Sequence, residues 1–263
     1  MKPLIVLPDT ARRNIRCVLT DIDDTLSTRG RITALAYAAM EELHAAGYLV
    51  IPVTGRPAGW CDHIARMWPV DAVIGENGAF YMRYDATARK LVRRFMVDAS
   101  ERDARRASLA GIAAQILRDV PGSALASDQP YRETDLAIDY CEDVSPLPRD
   151  AVDQIVAIMQ ARGLTAKVSS IHVNGWFGDY DKLAMTRTLL REAHGCDLDA
   201  ERGRIVFVGD SPNDAPMFAF FPYAVGVANV RAFLDRIETP PAYVTQRAAG
   251  AGFVELTDRL LAA

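Results

Sequence analysis

The sequence has few of the features that mark disulfide-bonded, zinc-binding or membrane-spanning proteins. Its 263 residues include four cysteines, which lie far apart and form no Cys-x-x-Cys pair. This spacing gives no zinc or redox motif, and widely spaced reduced thiols are typical of cytosolic proteins. No apolar run approaches the roughly 20 residues of a membrane-spanning helix, and the N-terminal apolar run is too short for a signal peptide. We therefore expect a cytoplasmic protein that does not contact membranes.

A strong charge imbalance is also absent. The net charge is -4, half of the residues are apolar and 24% are charged. Such a mild charge gives no electrostatic basis for binding nucleic acid. No internal repeat or low-complexity segment occurs. The length allows one large domain or two modest ones, and we expect a monomer or a homodimer.

Strand-like and helix-like patterns alternate at the start of the chain. Buried strands are predicted at residues 15–20, 48–53 and 71–75, and helices at residues 34–46 and 58–67. Strands that alternate with helices over short connections favour right-handed crossovers and a parallel sheet. The pattern resumes later, with a helix predicted at 181–194 and a strand at 204–208. These segments predict an α/β fold with a parallel sheet.

The intervening region has a different character and predicts an α+β insert with an antiparallel sheet. Residues 79–82 resemble an edge strand, and Ser100 is placed to cap a helix. Residues 136–140 alternate like a half-buried strand, residues 150–161 are helical, and residues 167–170 and 171–177 suggest a hairpin. We therefore expect a core domain formed by residues 1–82 and 181–263, interrupted by a cap domain at 83–180.

A group of carboxylates follows the first predicted strand directly. Asp21, Asp23 and Asp24 lie within four residues, and like charges held this close raise one another's pKa unless a cation lies among them. Hard oxygen ligands suit Mg²⁺. Asp21 and Asp23 differ by two positions, so they share a face of an extended strand.

Three further segments carry polar groups in comparable positions. Thr54, Gly55 and Arg56 follow the second strand, where a hydroxyl and backbone N–H groups can hold an anion. Lys182 lies at the start of a predicted helix. Residues 209–214 (Gly-Asp-Ser-Pro-Asn-Asp) follow the later strand and add two carboxylates and an amide, namely Asp210, Asp214 and Asn213. Because the carboxyl ends of parallel strands form the ligand crevice of an open sheet, these segments are expected to share one site.

This set of motifs resembles the haloacid dehalogenase superfamily of phosphatases, in order, residue type and context. The residues that carry the resemblance are Asp21-x-Asp23-x-Thr25, Thr54-Gly55-Arg56, Lys182 and Gly209 to Asp214. The length of the insert and the preceding Glu76-Asn77-Gly78-Ala79 resemble the Cof-type and sugar-phosphatase branch with a type-2 cap. The resemblance implies a Rossmann-like parallel-sheet core with an inserted α+β cap.

The resemblance also implies a reaction and a role for each motif residue. Asp21 would attack phosphorus and form an aspartyl-phosphate, and Asp23 would act as acid and then as base. Mg²⁺ would be held by Asp21, the backbone carbonyl of Asp23 and Asp210, with Asp214 nearby. Thr54, Gly55 and Lys182 would bind the phosphoryl oxygens. Asn213 is expected to bind phosphate or position Lys182, and Arg56 to reach the substrate or brace its loop.

The substrate expected from the resemblance is a small phosphorylated metabolite, in particular a sugar phosphate. Candidates for cap residues that set specificity are Arg132, Ser170, His172 and Trp176. Trp176 and His172 also fit a structural role, and Arg132 also fits an exposed turn. A sugar phosphomutase of the same superfamily is an alternative. A phospho-receiver module, or a binding protein that has lost catalysis, belongs to a different class and explains the motifs less completely.

Overall fold

The computed structural model describes residues 1–262. Its strands are β1 (Lys2–Pro3), β2 (Cys17–Thr20), β3 (Ser27–Thr28), β4 (Arg31–Ile32), β5 (Leu49–Pro52), β6 (Val73–Gly75), β7 (Phe80–Asp85), β8 (Lys90–Phe95), β9 (Ala124–Leu125), β10 (Asp135–Asp139), β11 (Thr165–Val168), β12 (His172–Trp176), β13 (Ile205–Gly209), β14 (Val225–Gly226) and β15 (Tyr243–Val244). Its helices are α1 (Asp9–Asn14), α2 (Ala34–Ala45), α3 (Ala58–Met67), α4 (Ala99–Asp119), α5 (Arg149–Ala161), α6 (Lys182–His194), α7 (Leu198–Glu201), α8 (Ala215–Phe220) and α9 (Ala249–Leu261).

The central sheet has six strands in the order β1-β15-β14-β13-β2-β5, and each neighbouring pair is parallel. Alternate residues of β2 face opposite sides: Leu19 packs with α6 and α8, whereas Val18 packs with α2 and α9. Helices therefore cover both faces, which is why the strands are almost wholly apolar. The prediction of an α/β fold with a parallel sheet is confirmed.

A second sheet lies within residues 83–180. Its strands are antiparallel in the order β11-β12-β10-β9. One face packs on α4 and α5 through residues such as Leu136, Ile112 and Ile155. We call α4, α5 and this sheet the four-stranded unit. The division of the chain into a core domain and a cap domain at residues 83 and 180 stays a prediction.

Three local predictions are wrong for identifiable physical reasons. The strand expected at the edge, residues 79–82, is β7, which extends to Asp85 and lies between β6 and β8. The cap of α4 is Asp98, whose carboxylate accepts the Glu101 N–H, while the Ser100 hydroxyl donates to Asp98. All of β10 is buried, although a half-buried strand was expected: Arg132 and Asn174 bind Asp135, and Asp139 accepts the N–H groups of residues 141–143.

Candidate active site

The two carboxylates at the centre of the site follow neighbouring parallel strands. Asp21 comes directly after β2, and its N–H donates to the Val208 carbonyl oxygen of β13 at 2.9 Å. Asp210 comes directly after β13. The register that pairs Thr20 with Val208 brings both side chains to the same edge of the sheet. Asp21 is 4% exposed and Asp210 1%, so both carboxylates are buried.

Asp214 is held by the turn that follows Asp210. Its Oδ2 accepts the N–H groups of Asp210 at 3.0 Å and Ser211 at 3.3 Å, in a capping box with the Ser211 side chain. A Cβ at position 209 would lie 2.3 Å from this oxygen, so the turn requires Gly209. The tight turn thus fixes Asp214 against Asp210 and leaves its other oxygen for Lys182.

Lys182 reaches the same point from the first turn of α6. Its Nζ donates to Asp21 Oδ1 and to Asp214 Oδ1, both at 2.7 Å. The start of α6 is placed by a close backbone contact, since a Cβ at Gly78 would lie 2.0 Å from the Asp181 carbonyl oxygen. Gly78 has a φ of +105°, which glycine adopts without strain. We call Asp21, Lys182, Asp210 and Asp214 the sheet-edge cluster.

The sheet-edge cluster carries more negative than positive charge. Oxygens of Asp21, Asp210 and Asp214 lie within 4.8 Å of one another. Burial raises the pKa of Asp21 to about 8, which Lys182 opposes and Asp214 increases. Burial and the neighbouring Asp21 also raise the pKa of Asp210 well above its usual value. Three buried oxygen donors with an excess of negative charge fit a hard divalent cation such as Mg²⁺.

The Asp23 carboxylate lies outside this trio. Arg56 binds it in a bidentate manner, with Nη2 at 2.7 Å from Oδ1 and Nε at 2.9 Å from Oδ2. Arg56 also donates to Glu142 at 2.6 Å and to Asp128 at 3.2 Å. Arg56 therefore fixes the orientation of Asp23 and connects it to the four-stranded unit; whether it reaches the substrate or braces its loop stays a prediction.

Thr54 and Gly55 line the adjacent loop after β5. The Thr54 N–H donates to the Ile74 carbonyl oxygen at 2.9 Å, and its hydroxyl oxygen accepts the Arg56 N–H at 3.0 Å. A Cβ at Gly55 would meet the Asn77 amide at 3.1 Å. Asn213 donates to Asn77 at 3.1 Å and accepts from the Ser211 hydroxyl at 2.8 Å. Asn77 thus joins the loop after β5 to the turn after β13.

The four proposed specificity residues lie in different environments. Trp176 is buried and donates to the Tyr180 carbonyl oxygen at 3.1 Å, so it belongs to the core. His172 is buried with its Nε2 at 2.8 Å from Glu142. Ser170 lines the cleft beside Asp23.

Arg132 belongs to a second buried charge cluster rather than to an exposed turn. It pairs with Asp128 and Asp135, and its Nη1 donates to the Gly55 carbonyl oxygen at 2.8 Å. The buried Glu76 carboxylate accepts the backbone N–H groups of Ala58, Glu133 and Thr134. We call Glu76, Asp128, Arg132 and Asp135 the interface cluster, because it joins the loop after β5 to the four-stranded unit.

Glu142 is the site residue that the sequence interpretation missed. Burial works against its ionisation, but hydrogen bonds from His172 and Arg56, together with the Arg56 charge, lower its pKa to about 2. Its own segment, 141–147, has no motif. Arg56 contacts Glu142, but the sequence around Arg56 does not indicate which carboxylates lie beside it in the fold. Asn77 and Glu76, in contrast, lie in the turn that the sequence had singled out.

The chain is similar to proteins of one superfamily over most of its length. Residues 18–100 match the family model described as haloacid dehalogenase-like hydrolase. The chain is 26% identical to a phosphoglycolate phosphatase of Methanothrix thermoacetophila, over 95% of this chain and 98% of that protein. The chain is therefore similar in sequence to the haloacid dehalogenase-like hydrolases. The prediction that the protein is a phosphatase of this type is confirmed.

Solved structures show the same fold at lower identity. The C-terminal domain of C. albicans trehalose-6-phosphate phosphatase aligns with a TM-score of 0.69 and 14% identity, covering 99% of this chain and 98% of that chain. A sucrose-phosphatase from Synechocystis sp., solved with sucrose and phosphate, aligns with a TM-score of 0.64 and 15% identity, covering 94% and 98%. Among residues 1–262, no helix has the length and apolarity needed to cross a bilayer.

Proposed function

We propose that this haloacid dehalogenase-like hydrolase cleaves a phosphomonoester of a small metabolite through an aspartyl-phosphate on Asp21, with Mg²⁺ as cofactor. The observation that carries the proposal is the meeting of Asp21, Lys182, Asp210 and Asp214 at one sheet edge. Lys182 Nζ lies 2.7 Å from Asp21, and the three carboxylates lie within 4.8 Å of one another. A buried carboxylate beside a fixed cation is the arrangement that nucleophilic attack on a phosphate dianion requires.

The proposed reaction has two displacements. An Asp21 oxygen attacks phosphorus, the bond from phosphorus to the leaving oxygen breaks, and Asp23 gives its proton to that oxygen. A water molecule then attacks the aspartyl-phosphate and gives a proton to Asp23. Inorganic phosphate leaves and the Asp21 carboxylate is restored.

The other residues of the site position the groups that react. Lys182 orients Asp21 through Oδ1 and offsets the charge of the phosphoryl oxygens. The Thr54 hydroxyl and the N–H of Gly55, which lines a small cavity with Asp21, are proposed to bind phosphoryl oxygens. Arg56 fixes the orientation of Asp23. Asn213 is bound to Asn77, and this favours a role in holding the phosphate-binding loop.

Mg²⁺ fits the sheet-edge cluster because the cluster has an uncompensated negative charge. Asp21, Asp210 and the Asp23 backbone carbonyl are proposed to hold it, with Asp214 close by. The metal would stabilise negative charge on the nucleophile and on the transferring phosphoryl group. Asn229 and Thr25 already donate to Asp210, at 2.9 and 3.4 Å, and so restrict its orientation.

We further propose a sugar phosphate as substrate and residues 83–180 as the cap that selects it. A cavity of about 320 Å³ adjoins Asp23 and is lined by charged and hydroxyl groups, including Asp24, Arg29, Glu142 and Ser170. Such groups suit a hydroxylated leaving group. The fold shared with trehalose-6-phosphate phosphatase and sucrose-phosphatase supports this choice.

The test is release of inorganic phosphate from a panel of sugar phosphates and an aryl phosphate, with and without Mg²⁺. We expect Mg²⁺-dependent release, and Asp21→Asn should reduce kcat by about 10⁴-fold or more while the protein stays folded. Asp21→Asn that retains turnover would refute the nucleophile assignment. Formation of a phosphate isomer without release of phosphate would instead indicate a phosphomutase.

A further inference from the structure

A second cavity, lined mainly by apolar groups, adjoins the same aspartate from the other side. Its volume is about 370 Å³, and it lies between α3 and the β3–β4 hairpin. We call it the apolar lobe, and the cavity of about 320 Å³ the polar lobe. Asp23, Ser27 and Gly30 line both lobes, so the two cavities meet at the residue proposed as acid and base.

The apolar lobe is formed by residues that one face of α3 presents to the hairpin. Trp60, His63 and Ile64 lie at helical spacing of three and four residues, and Trp68 follows the end of the helix. Ile22 and Ile32 close the opposite side. The polar groups here are few, whereas the polar lobe carries several charged side chains. A polyol would leave many hydroxyl groups unpaired in such a space.

Trp60 connects the apolar lobe to the proposed chemistry. It is 41% exposed and lines the apolar lobe, so part of its ring surface is available to a ligand there. The Arg56 guanidinium lies 4.4 Å from the centroid of its ring, and Arg56 also binds Asp23. Trp60 is therefore held in place next to the carboxylate that would protonate the leaving oxygen.

We infer that the apolar lobe binds an apolar ring carried by the leaving group, while the polar lobe binds its hydroxylated part. The inference rests on the proposed function, because it concerns the leaving group of the same reaction. A volume of about 370 Å³ is within the range of small-ligand pockets and is large enough for one aromatic ring. Trp60 is thus a specificity-determining residue that contacts the substrate.

The test compares two phosphomonoesters with similar leaving alcohols, 2-phenylethyl phosphate and 2-hydroxyethyl phosphate. We expect kcat/KM for the phenyl ester to be about tenfold higher, which corresponds to 1.4 kcal/mol at 25 °C. Trp60→Ala should remove this preference and Trp60→Phe should keep most of it. Loss of the contact with Arg56 affects both esters, so the ratio of the two rates reports on the lobe.

The control is Tyr84→Ala, since Tyr84 has a similar exposure of 38% and lies outside both lobes. It should leave the ratio unchanged. Equal kcat/KM for both esters in the wild-type protein, or a preference that persists in Trp60→Ala, would overturn the inference while leaving the proposed function intact.

Binding to Asp21→Asn separates the two proposals. Calorimetry with each ester should show about tenfold tighter binding of the phenyl ester, and Trp60→Ala in the same background should abolish the difference. If neither ester is hydrolysed by the wild-type protein, the proposed function with these substrates is overturned and the binding ratio alone decides the inference. Equal binding of the two esters would then overturn the inference as well.

Discussion

The sheet-edge cluster and the interface cluster each contain three buried carboxylates and one cation, yet they differ in the hydrogen-bond donors that reach those carboxylates. In the sheet-edge cluster, Lys182 pairs with Asp21 and Asp214, while Asp210 accepts hydrogen bonds from the neutral side chains of Asn229 and Thr25. In the interface cluster, Arg132 binds both oxygens of Asp135 at 3.0 Å and also pairs with Asp128. Asn174 donates a further hydrogen bond to Asp135, at 3.0 Å.

Glu76 extends the interface cluster without a direct salt bridge to Arg132. Burial and the nearby Asp135 raise its pKa to about 7, although the Arg132 charge and hydrogen bonds from residues 133 and 134 oppose this. Its oxygens accept several backbone N–H groups, which is how a buried carboxylate is satisfied without a ligand. Burial and high charge density therefore do not identify a functional site by themselves. The discriminating feature is the number of donors: Arg56 and several backbone N–H groups reach the interface cluster from outside it, whereas Lys182 is the donor that reaches Asp21.

In the comparison of the two clusters, the largest expected effect comes from removing the cation of the sheet-edge cluster. Lys182→Met should reduce kcat/KM by about 10³-fold, because it removes the group that orients Asp21 and offsets phosphoryl charge. Phosphate release under saturating Mg²⁺ measures this. Lys90→Met is the matched control, since Lys90 is exposed and distant in sequence from the motifs. Activity within a few fold of wild type would contradict the assigned role of Lys182.

The corresponding change in the interface cluster should act on stability. Arg132→Ala leaves Asp135 buried without its cation and leaves Asp128 with Arg56 alone, which should lower the free energy of unfolding by about 3–5 kcal/mol. Urea denaturation measures the loss. Arg118→Ala, whose side chain is 69% exposed, should change stability by less than about 0.5 kcal/mol. Equal effects of the two variants would show that the interface cluster is not structurally important.

Without metal, we expect a proton to bind Asp21 of the sheet-edge cluster at neutral pH. The pKa of Asp21 is about 8 in the fold, against 3.8 in the unfolded chain, so the metal-free fold binds more protons between these values. Its stability should fall as pH rises through this range. Because Mg²⁺ binds the ionised form, its stabilising effect should increase from pH 6 to pH 8 by about 1–3 kcal/mol.

Urea denaturation at the two pH values, with and without Mg²⁺, measures this linkage. Glu76 titrates in the same direction, but its contribution is present with and without metal and cancels in the difference. A stabilisation by Mg²⁺ that is independent of pH would argue against ionisation of Asp21 on metal binding.

The smallest expected effect comes from Glu142, which pairs with Arg56 between Asp23 and Asp128. Glu142→Gln should lower the free energy of unfolding by about 1 kcal/mol, since Glu142 is partly exposed and Arg56 keeps Asp23 and Asp128. The pKa of Glu142 is about 2 in the fold and 4.5 in the unfolded chain, so this contribution is present above pH 4.5 and is lost towards pH 2. Denaturation at pH 7 and pH 3 checks this. A loss as large as that of Arg132→Ala would contradict it.

The motif residues could be predicted because each follows a recognisable strand or begins a recognisable helix. Asp21, Thr54 and Asp210 follow β2, β5 and β13, and the parallel order of these strands implies that their ends are adjacent. The same reasoning could have predicted Asp98 as the N-cap of α4, since aspartate is as good an N-cap residue as serine. The position of β7 between two strands could not be predicted in this way, because the pairing of β7 with β8 depends on residues outside the segment predicted as a strand.

Glu142, Asp128 and the interface cluster could not be predicted from local pattern. Arg132 fits a turn in sequence, yet it is buried because Asp128, Asp135 and the Gly55 carbonyl oxygen surround it. These partners come from the four-stranded unit and from the loop after β5. The burial of an arginine depends on its whole set of partners, and a single segment of sequence does not contain that set.

The sequence by itself determined the α/β fold, the position of the motif residues and the resemblance to a known superfamily, because buried strands and the turns after them are local patterns. Tertiary structure alone decided which carboxylates are matched and which are left with an excess of charge. It also decided that Arg56 joins Asp23 to Glu142, and that Trp60 lines a cavity beside Asp23. The reason is that electrostatic balance and cavity shape depend on groups brought together from distant segments.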